Sequence, residues 1–258
     1  MTRIGLWLGL GFLWLPVLLL AGYAFSDSRV PFQWGGFSLR WFAALAANDR
    51  LREAAWLSLR IAAGSATLAV LLGGATGWVL ARRGLRGAGN LRRPGRRALV
   101  LPEVVTGLSL LLGFVLLQAA TGWPAERGAT TVLLAHATTG LAYVAVVVQA
   151  RLAGMDASLE DAARDLGATP WVAFRTITLP LILPSLLAGW LLAFTLSLDD
   201  VVVASFVSGP AGTTLPMVVF SMLRLGLTPE VNALAVVILA LALLVGGVAG
   251  WALRRVGN

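Results

Sequence analysis

Six apolar runs follow one another along this chain, each long enough to cross a hydrocarbon core of about 30 Å as a helix of about 20 residues. They lie at about Ile4 to Phe25, Leu57 to Leu80, Ala98 to Ala119, Thr130 to Gln149, Leu183 to Phe206 and Val231 to Leu253. A backbone in hydrocarbon has no water to satisfy its N–H and C=O groups, so each run must close its hydrogen bonds within itself. The expected fold class is an all-α membrane protein with six transmembrane helices, read as a single transmembrane domain over residues 1–258. Composition agrees, with 58% hydrophobic and only 12% charged residues. The first run ends in small residues, Ala21-Gly22-Tyr23-Ala24, that suit a signal-peptide cleavage site. Its apolar stretch exceeds a typical signal core, however, and retention as an anchor is expected.

All 20 basic residues are arginine; lysine and cysteine are absent, and the single histidine is His136. These absences exclude a phosphate-binding loop of the G-x-x-x-x-G-K-[ST] type, Schiff-base chemistry, disulfides, thiol nucleophiles, zinc–thiolate sites and an H-E-x-x-H zinc helix. Any ATP used with this chain must be hydrolysed by another, and neither a catalytic residue nor a metal ligand is expected here. The net charge of +8 would suit nucleic acid, yet the arginines sit mostly in loops between apolar runs, where topology explains them. With the amino terminus in the cytoplasm, thirteen arginines fall inside, seven of them between Arg82 and Arg97, against six outside. Both termini are therefore expected to be cytoplasmic. The 82–97 segment is expected to rest on anionic lipid headgroups, at about 1 kcal/mol per arginine near the surface. The partner this distribution implies is a lipid bilayer, not nucleic acid.

Several stretches outside the runs carry local signals. Ser38 to Ala47 places Trp41, Phe42 and Leu45 on one helical face, as in a short helix lying in the interface. Val207 to Glu230 holds Gly209-Pro210, Gly212, Pro216 and Thr228-Pro229, so it cannot be one continuous helix, and a partial re-entry capping a pathway is expected. Gly73 with Gly77, and Gly246 with Gly250, have the small-xxx-small spacing of close helix packing. Between the fourth and fifth runs, Arg151 to Leu183 is longer than a plain connection needs. There Ser158 and Asp161 suit a capping box, Gly167 suits a helix end, and Thr169-Pro170 suits an N-cap followed by a first helical proline. Two short helices joined at a glycine corner are expected to form a protruding knob.

Within that loop, Asp161-Ala162-Ala163, three residues, Gly167, nine residues and Ile177-Thr178-Leu179-Pro180 resemble the EAA loop of binding-protein-dependent ABC importer permeases, with Asp161 where the pattern usually has glutamate. Leu101-Pro102-Glu103-Val104-Val105-Thr106-Gly107-Leu108-Ser109, Gly122-Trp123-Pro124 and Phe194-Thr195-Leu196-Ser197-Leu198-Asp199-Asp200-Val201 are similar to the polyamine branch, the permeases for putrescine and spermidine. The resemblance implies a type I ABC importer permease fold with cytoplasmic coupling helices, set in the bacterial inner membrane. It implies half of the translocation pathway of an ATP-driven polyamine importer. The partners implied are a homologous second permease in a heterodimer, two ATPase subunits holding ATP and magnesium, and a periplasmic substrate-binding protein. No cofactor is implied in this chain. The coupling loop 151–182, through Asp161, Ala162, Ala163, Gly167, Ile177, Leu179 and Pro180, would sit in a cleft of an ATPase subunit. A sister importer for another solute, such as ferric iron or thiamine, is the alternative.

The acidic residues inside the runs point to a cation independently of family. A carboxylate near the centre of a membrane helix costs on the order of 2.5 to 3.5 kcal/mol to insert, so it normally faces a partner or a wet cavity. Glu103, Asp199 and Asp200 are such residues, and the nearest arginine in a run, Arg60, sits at the outer end of the second. The missing counter-ion is expected to be the substrate. At about 1.5 Å of rise per residue, Glu103 falls toward the inner end of its run and Asp199 in the outer half of its own, an offset of roughly 15 Å that suits stations on a path for an extended diamine. Asp199 and Asp200 point about 100° apart on a helix, so one is expected to face the path and the other a helix end. Ser197 stands beside them, and Trp41 offers a ring face to an alkyl-ammonium by cation–π attraction. The family resemblance places these five residues, Trp41, Glu103, Ser197, Asp199 and Asp200, on the substrate path. His136 is read as a packing residue. An intramembrane protease is disfavoured because two aspartates on one helix diverge and only one histidine is present to act as a base. A passive cation channel would leave the coupling loop unexplained.

Overall fold

The computed structural model describes residues 2–30, 33–82, 102–156, 158–226 and 228–256. Arg83 to Arg97, and residues 98–101 at the start of the third run, lie outside the described residues, as do the contacts of Gly246 and Gly250. The structure is built of helices: α1 Thr2–Tyr23, α2 Arg40–Ala47, α3 Asp49–Arg82, α4 Glu103–Thr121, α5 Ala129–Ala153, α6 Ser158–Asp165, α7 Pro170–Ala173, α8 Leu179–Asp199, α9 Val202–Val207, α10 Leu215–Leu225 and α11 Pro229–Val256. A π-turn, Phe174–Thr178, joins α7 to α8, and a 3₁₀ turn, Pro210–Gly212, follows α9. Among the described residues no strand occurs beyond an isolated bridge between Ser26 and Phe37. Five of these stretches are long and apolar enough to cross a membrane: Gly5–Tyr23, Asp49–Ala81, Glu103–Thr121, Ala129–Ala153 and Pro170–Asp199. The 28-residue α11 covers the sixth expected run.

Two helices depart from the expected bounds, each for a local reason. The second run is expected from Leu57, but α3 begins at Asp49, because Asn48 supplies a cap. Its side-chain oxygen accepts from the Leu51 N–H at 3.3 Å, and Asp49 pairs with Arg52 in the first turn at 2.6 Å. The fifth run is expected to continue to Phe206, but α8 stops at Asp199. Asp200 then takes an extended backbone, and its carboxylate accepts from the Ala204 N–H at 2.9 Å, starting α9.

The chain divides into two compact units, Met1–Glu53 with Val218–Asn258, and Ala54–Met217. In the first, α1 and α2 both pack on α11, while the loop from Ala24 to Ser38 is stapled by one serine. The Ser26 hydroxyl donates to Gln33 O and accepts from the Gly35 N–H, each at 3.0 Å. Phe25 lies between Phe37 and Phe42, with ring centroids 5.7 and 5.1 Å away. The α2 face expected to anchor in the interface is thus largely occupied by protein. Arg40 donates to Asp27 at 3.2 Å and holds that carboxyl below the usual carboxylate range.

In the second unit α5 is the central helix. Gly73 and Gly77 bring α3 against it so closely that a Cβ at either position would lie 2.7 Å from a backbone oxygen of Leu141 or Ala145. Val144, Val148 and Leu152 of α5 pack with Ala66 and Ala69 of α3 and Ile182 and Ala193 of α8 into one apolar cluster. Toward the other end, Val132 and Ala135 of α5 meet Ile61 of α3 and Val203, Ala204 and Val207 of α9. The stretch after α9 is broken, as its glycines and prolines require. Thr131 donates to Val207 O at 2.7 Å and the Leu215 N–H donates to Ser58 at 2.8 Å, fixing both ends of the break to this unit.

Candidate functional site

The loop between α5 and α8 is built as a corner and a rod. Asp156, rather than Ser158, caps α6: its carboxylate accepts from the Ser158 N–H at 2.9 Å, and that bond, with the Ser158 hydroxyl, holds its carboxyl below the usual range. The expected capping box between Ser158 and Asp161 is replaced by this contact, and Asp161 pairs with Arg164 at 3.7 Å instead. Gly167 takes a φ of +88°, which favours glycine, and turns the chain. Thr169 then caps α7, its hydroxyl accepting from the Val172 N–H at 3.3 Å, with Pro170 at the first helical position.

The second helix of the expected knob does not end. It widens through the π-turn, where the Leu179 N–H reaches back to Phe174 O, and runs on as α8. Pro170 to Asp199 is one apolar rod of 30 residues. Pro180 has no N–H to offer the turn before it, and a widened turn directly upstream is where such a gap is absorbed. A buried contact ties α6 to this rod: the Thr178 hydroxyl donates to Glu160 at 2.6 Å. No local sequence signal points to Glu160, because its partner is 18 residues away. Around it, Asp161, Ala162 and Pro180 are exposed, Ala163, Ile177 and Leu179 are half-buried, and Leu166 and Trp171 stand out at 90% and 67% exposure.

At the far end of the rod is a cavity of about 560 Å³. Glu103, the first residue of α4, lines it together with Asp199 and Asp200 at the α8–α9 break, and Thr106, Thr139 and Tyr143 add hydroxyls. Among the described residues, its lining includes no arginine and no histidine. Glu103 and Asp199, expected as stations along a path, both line this one cavity. The reason is that α8 ends at Asp199 and α9 then packs along α4, with Gly107 of α4 meeting Val203 and Phe206. Both aspartates line the cavity, where one was expected to face the path and the other a helix end. Asp199 is exposed, while Asp200 is half-buried and spends one oxygen on the start of α9.

The other two expected path residues are not among the cavity-lining residues. Trp41, in the first unit, is 9% exposed; its indole N–H donates to Ser26 O at 2.8 Å, and the cation over its ring is Arg40, 4.5 Å from the centroid. Ser197 is buried and is not among the cavity-lining residues. Its Oγ lies 2.6 Å from His136 Nδ1 and 3.2 Å from the Ser65 hydroxyl, and His136 Nε2 lies 3.7 Å from Asp200. His136, expected as a packing residue, thus holds two polar contacts. Its contact with Ser197 spans 61 residues, so no local pattern announces it. Serine, histidine and aspartate meeting in this way have the composition of a hydrolase triad. The connectivity is reversed from the usual one, in which Nε2 serves the serine, and Ser197 is buried away from the cavity.

The family described as the inner membrane component of binding-protein-dependent transport systems matches residues 69–258. The chain belongs to this family. As a binding-protein-dependent transport component it is a multi-pass inner-membrane protein, and a transport subunit rather than a protease. It is 52% identical over 249 residues to the putrescine transport system permease protein PotI of Escherichia coli strain K12, covering 96% of this chain and 89% of that protein. It is 41% identical over 232 residues to the spermidine/putrescine transport system permease protein PotC of the same strain, covering 90% and 86%. Among solved structures, a bacterial ABC transporter involved in the import of the acidic polysaccharide alginate superposes with a TM-score of 0.70 over 97% of this chain and 94% of that one. At 14% identity that likeness concerns the fold, which is that of an ABC importer permease.

Proposed function

We propose that this chain is one permease subunit of an ATP-driven polyamine importer, for putrescine or spermidine, and forms half of its translocation pathway as a single permease domain with both termini in the cytoplasm. The observation that carries this reading is the cavity walled by Glu103, Asp199 and Asp200, with no basic side chain in its lining among the described residues. Three carboxylates in a membrane-spanning unit need positive charge, and a polyamine supplies it at two or more separated nitrogens. Ser197 acts from behind the wall, and Trp41 acts on the external side. The names of the two relatives agree with this substrate class.

The partners are a homologous second permease, two ATPase subunits that bind ATP and magnesium, and a periplasmic binding protein. The ATPase contact is the α6 corner, with Asp161, Ala162, Ala163 and Gly167 on the docking side and Ile177, Leu179 and Pro180 on the rod. The exposure of Leu166 and Trp171 there supports a docked partner. Closure of the ATPase pair pushes α6, Glu160 carries the push to Thr178, and the rod delivers it from there to Asp199 at the acidic cavity, about 32 Å away at 1.5 Å per residue.

Uptake of labelled putrescine and spermidine into vesicles holding the whole complex tests the reading. Transport of either, lost in Asp199→Asn while assembly persists, supports it. Absence of transport of both by the native complex overturns the substrate assignment.

A further inference from the structure

Charge alone does not decide which cation a cavity takes, and the hydroxyl groups beside the carboxylates narrow the choice. Thr106 of α4 and Thr138 and Thr139 of α5 line the cavity. Each has already spent its proton on the helix that carries it. Thr106 donates to Pro102 O at 3.4 Å, Thr138 to Leu134 O at 2.8 Å, and Thr139 to Ala135 O and His136 O at 3.4 and 3.0 Å. A hydroxyl carries one proton and two lone pairs, so these side chains can present a methyl group or a lone pair to the cavity, and not a donor. Carboxylates likewise accept. Among the described residues, Tyr143 is the one lining side chain with a donor still to offer.

Cations of similar charge make different demands on such a wall. A metal ion needs several ligands converging on a point, and among the described residues no group of three or more acidic, histidine or cysteine side chains is placed to hold one. A quaternary ammonium group has no N–H and is held by a cage of aromatic faces, whereas the described lining has a single ring, that of Tyr143. A primary ammonium group carries three N–H donors and, on leaving water, needs an acceptor for each. Carboxylates together with donor-spent threonines supply acceptors in that excess.

We propose that Thr106, Thr138 and Thr139 are specificity-determining residues: their lone pairs take the N–H bonds of an alkylammonium substrate that the carboxylates leave over, so the cavity selects cations by their N–H donors as well as by charge. The inference rests on the reading of the cavity as a cation site. Loss of a threonine oxygen without change of shape then weakens a substrate that bears N–H bonds and leaves a fully methylated one unaffected.

The test is displacement of labelled putrescine from the complete membrane complex in lipid nanodiscs, with no binding protein added, so that the selection read is that of the membrane subunits. The competitors are putrescine, its tetramethyl derivative and its hexamethyl derivative, whose cationic nitrogens carry three, one and no N–H bonds. Thr106→Val, Thr138→Val and Thr139→Val keep the shape of the side chain and remove its lone pairs. From the strength of hydrogen bonds to charged groups, each valine variant should weaken putrescine by about tenfold and the hexamethyl derivative by less than about twofold, with the tetramethyl derivative between. The matching serine variants, which keep the oxygen, should restore the native preference. A preference across the series that is unchanged in all three valine variants overturns the proposal while leaving the cation cavity intact, as does weakening of every competitor by the same factor. Where the hexamethyl derivative is too bulky to enter, the tetramethyl derivative decides by the same criterion. Putrescine binding that is absent from the native complex, or undiminished in Asp199→Asn, overturns the cavity reading as well. The three positions are read singly, and a variant that does not assemble leaves the other two to decide.

Discussion

A carboxylate that serves both a helix end and a cavity can be dissected by choosing which property to remove. Asp200 accepts from the Ala204 N–H and also lines the cavity, whereas Asp199 lines the cavity and is more exposed. Asparagine caps helices as well as aspartate does but carries no charge. Asp200→Asn should therefore lower polyamine uptake by about tenfold or more, the kinetic equivalent of about 1.4 kcal/mol, without lowering the melting temperature of the purified complex. Asp200→Ala should lower both, the cap costing about 1 kcal/mol more, and Asp199→Asn should affect uptake alone. Gly77 is a different kind of single-residue constraint. A Cβ there would lie 2.7 Å from Ala145 O, and a backbone oxygen inside a helix cannot step aside. Gly77→Val should cost about 1 to 3 kcal/mol and appear as lost assembly or a lowered melting temperature.

At the scale of elements, the informative object is the joint between α6 and the rod. Glu160 is buried and accepts from Thr178, so Thr178→Val would remove one donor to a buried carboxylate, at about 1 to 3 kcal/mol. The expected outcome is a fall in polyamine molecules moved per ATP hydrolysed, with ATPase subunits still bound, while Glu160→Gln, which can still accept from Thr178, retains more of the coupling. The corner itself was legible in the sequence: Gly167 and Thr169-Pro170 are local signals whose consequences are local. The joint was not. Glu160 meets Thr178 across 18 residues, and the second short helix is expected to be separate from the fifth run, whereas a five-residue π-turn carries one helix into the next. The same holds in the cavity. Glu103, Asp199 and Asp200 stand out by charge against hydrocarbon, but their sharing of one cavity depends on α9 folding along α4. The lone His136 gains meaning only from Ser197 and Asp200.

At the scale of the whole molecule, transport requires that a push at one end of the Ala54–Met217 unit arrive at the other, which depends on the corner before the rod holding its angle. Gly167 sets that angle with a φ of +88°, and a Cβ there would meet no atom within 4 Å. Any effect of substitution at this position is therefore a backbone effect and not a steric clash with a neighbour. The left-handed region costs most residues on the order of 1 to 2 kcal/mol, least for asparagine and most for β-branched side chains. Coupled uptake should fall in the order glycine, asparagine, alanine, valine, with membrane insertion unaffected in all four. Binding-protein-stimulated ATP hydrolysis, measured beside uptake in the same proteoliposomes, should decline less steeply than uptake across the series, because a bent corner still docks but delivers its motion in the wrong direction. Equal uptake in Gly167→Val and the native chain would show that the corner's angle is not what carries the push.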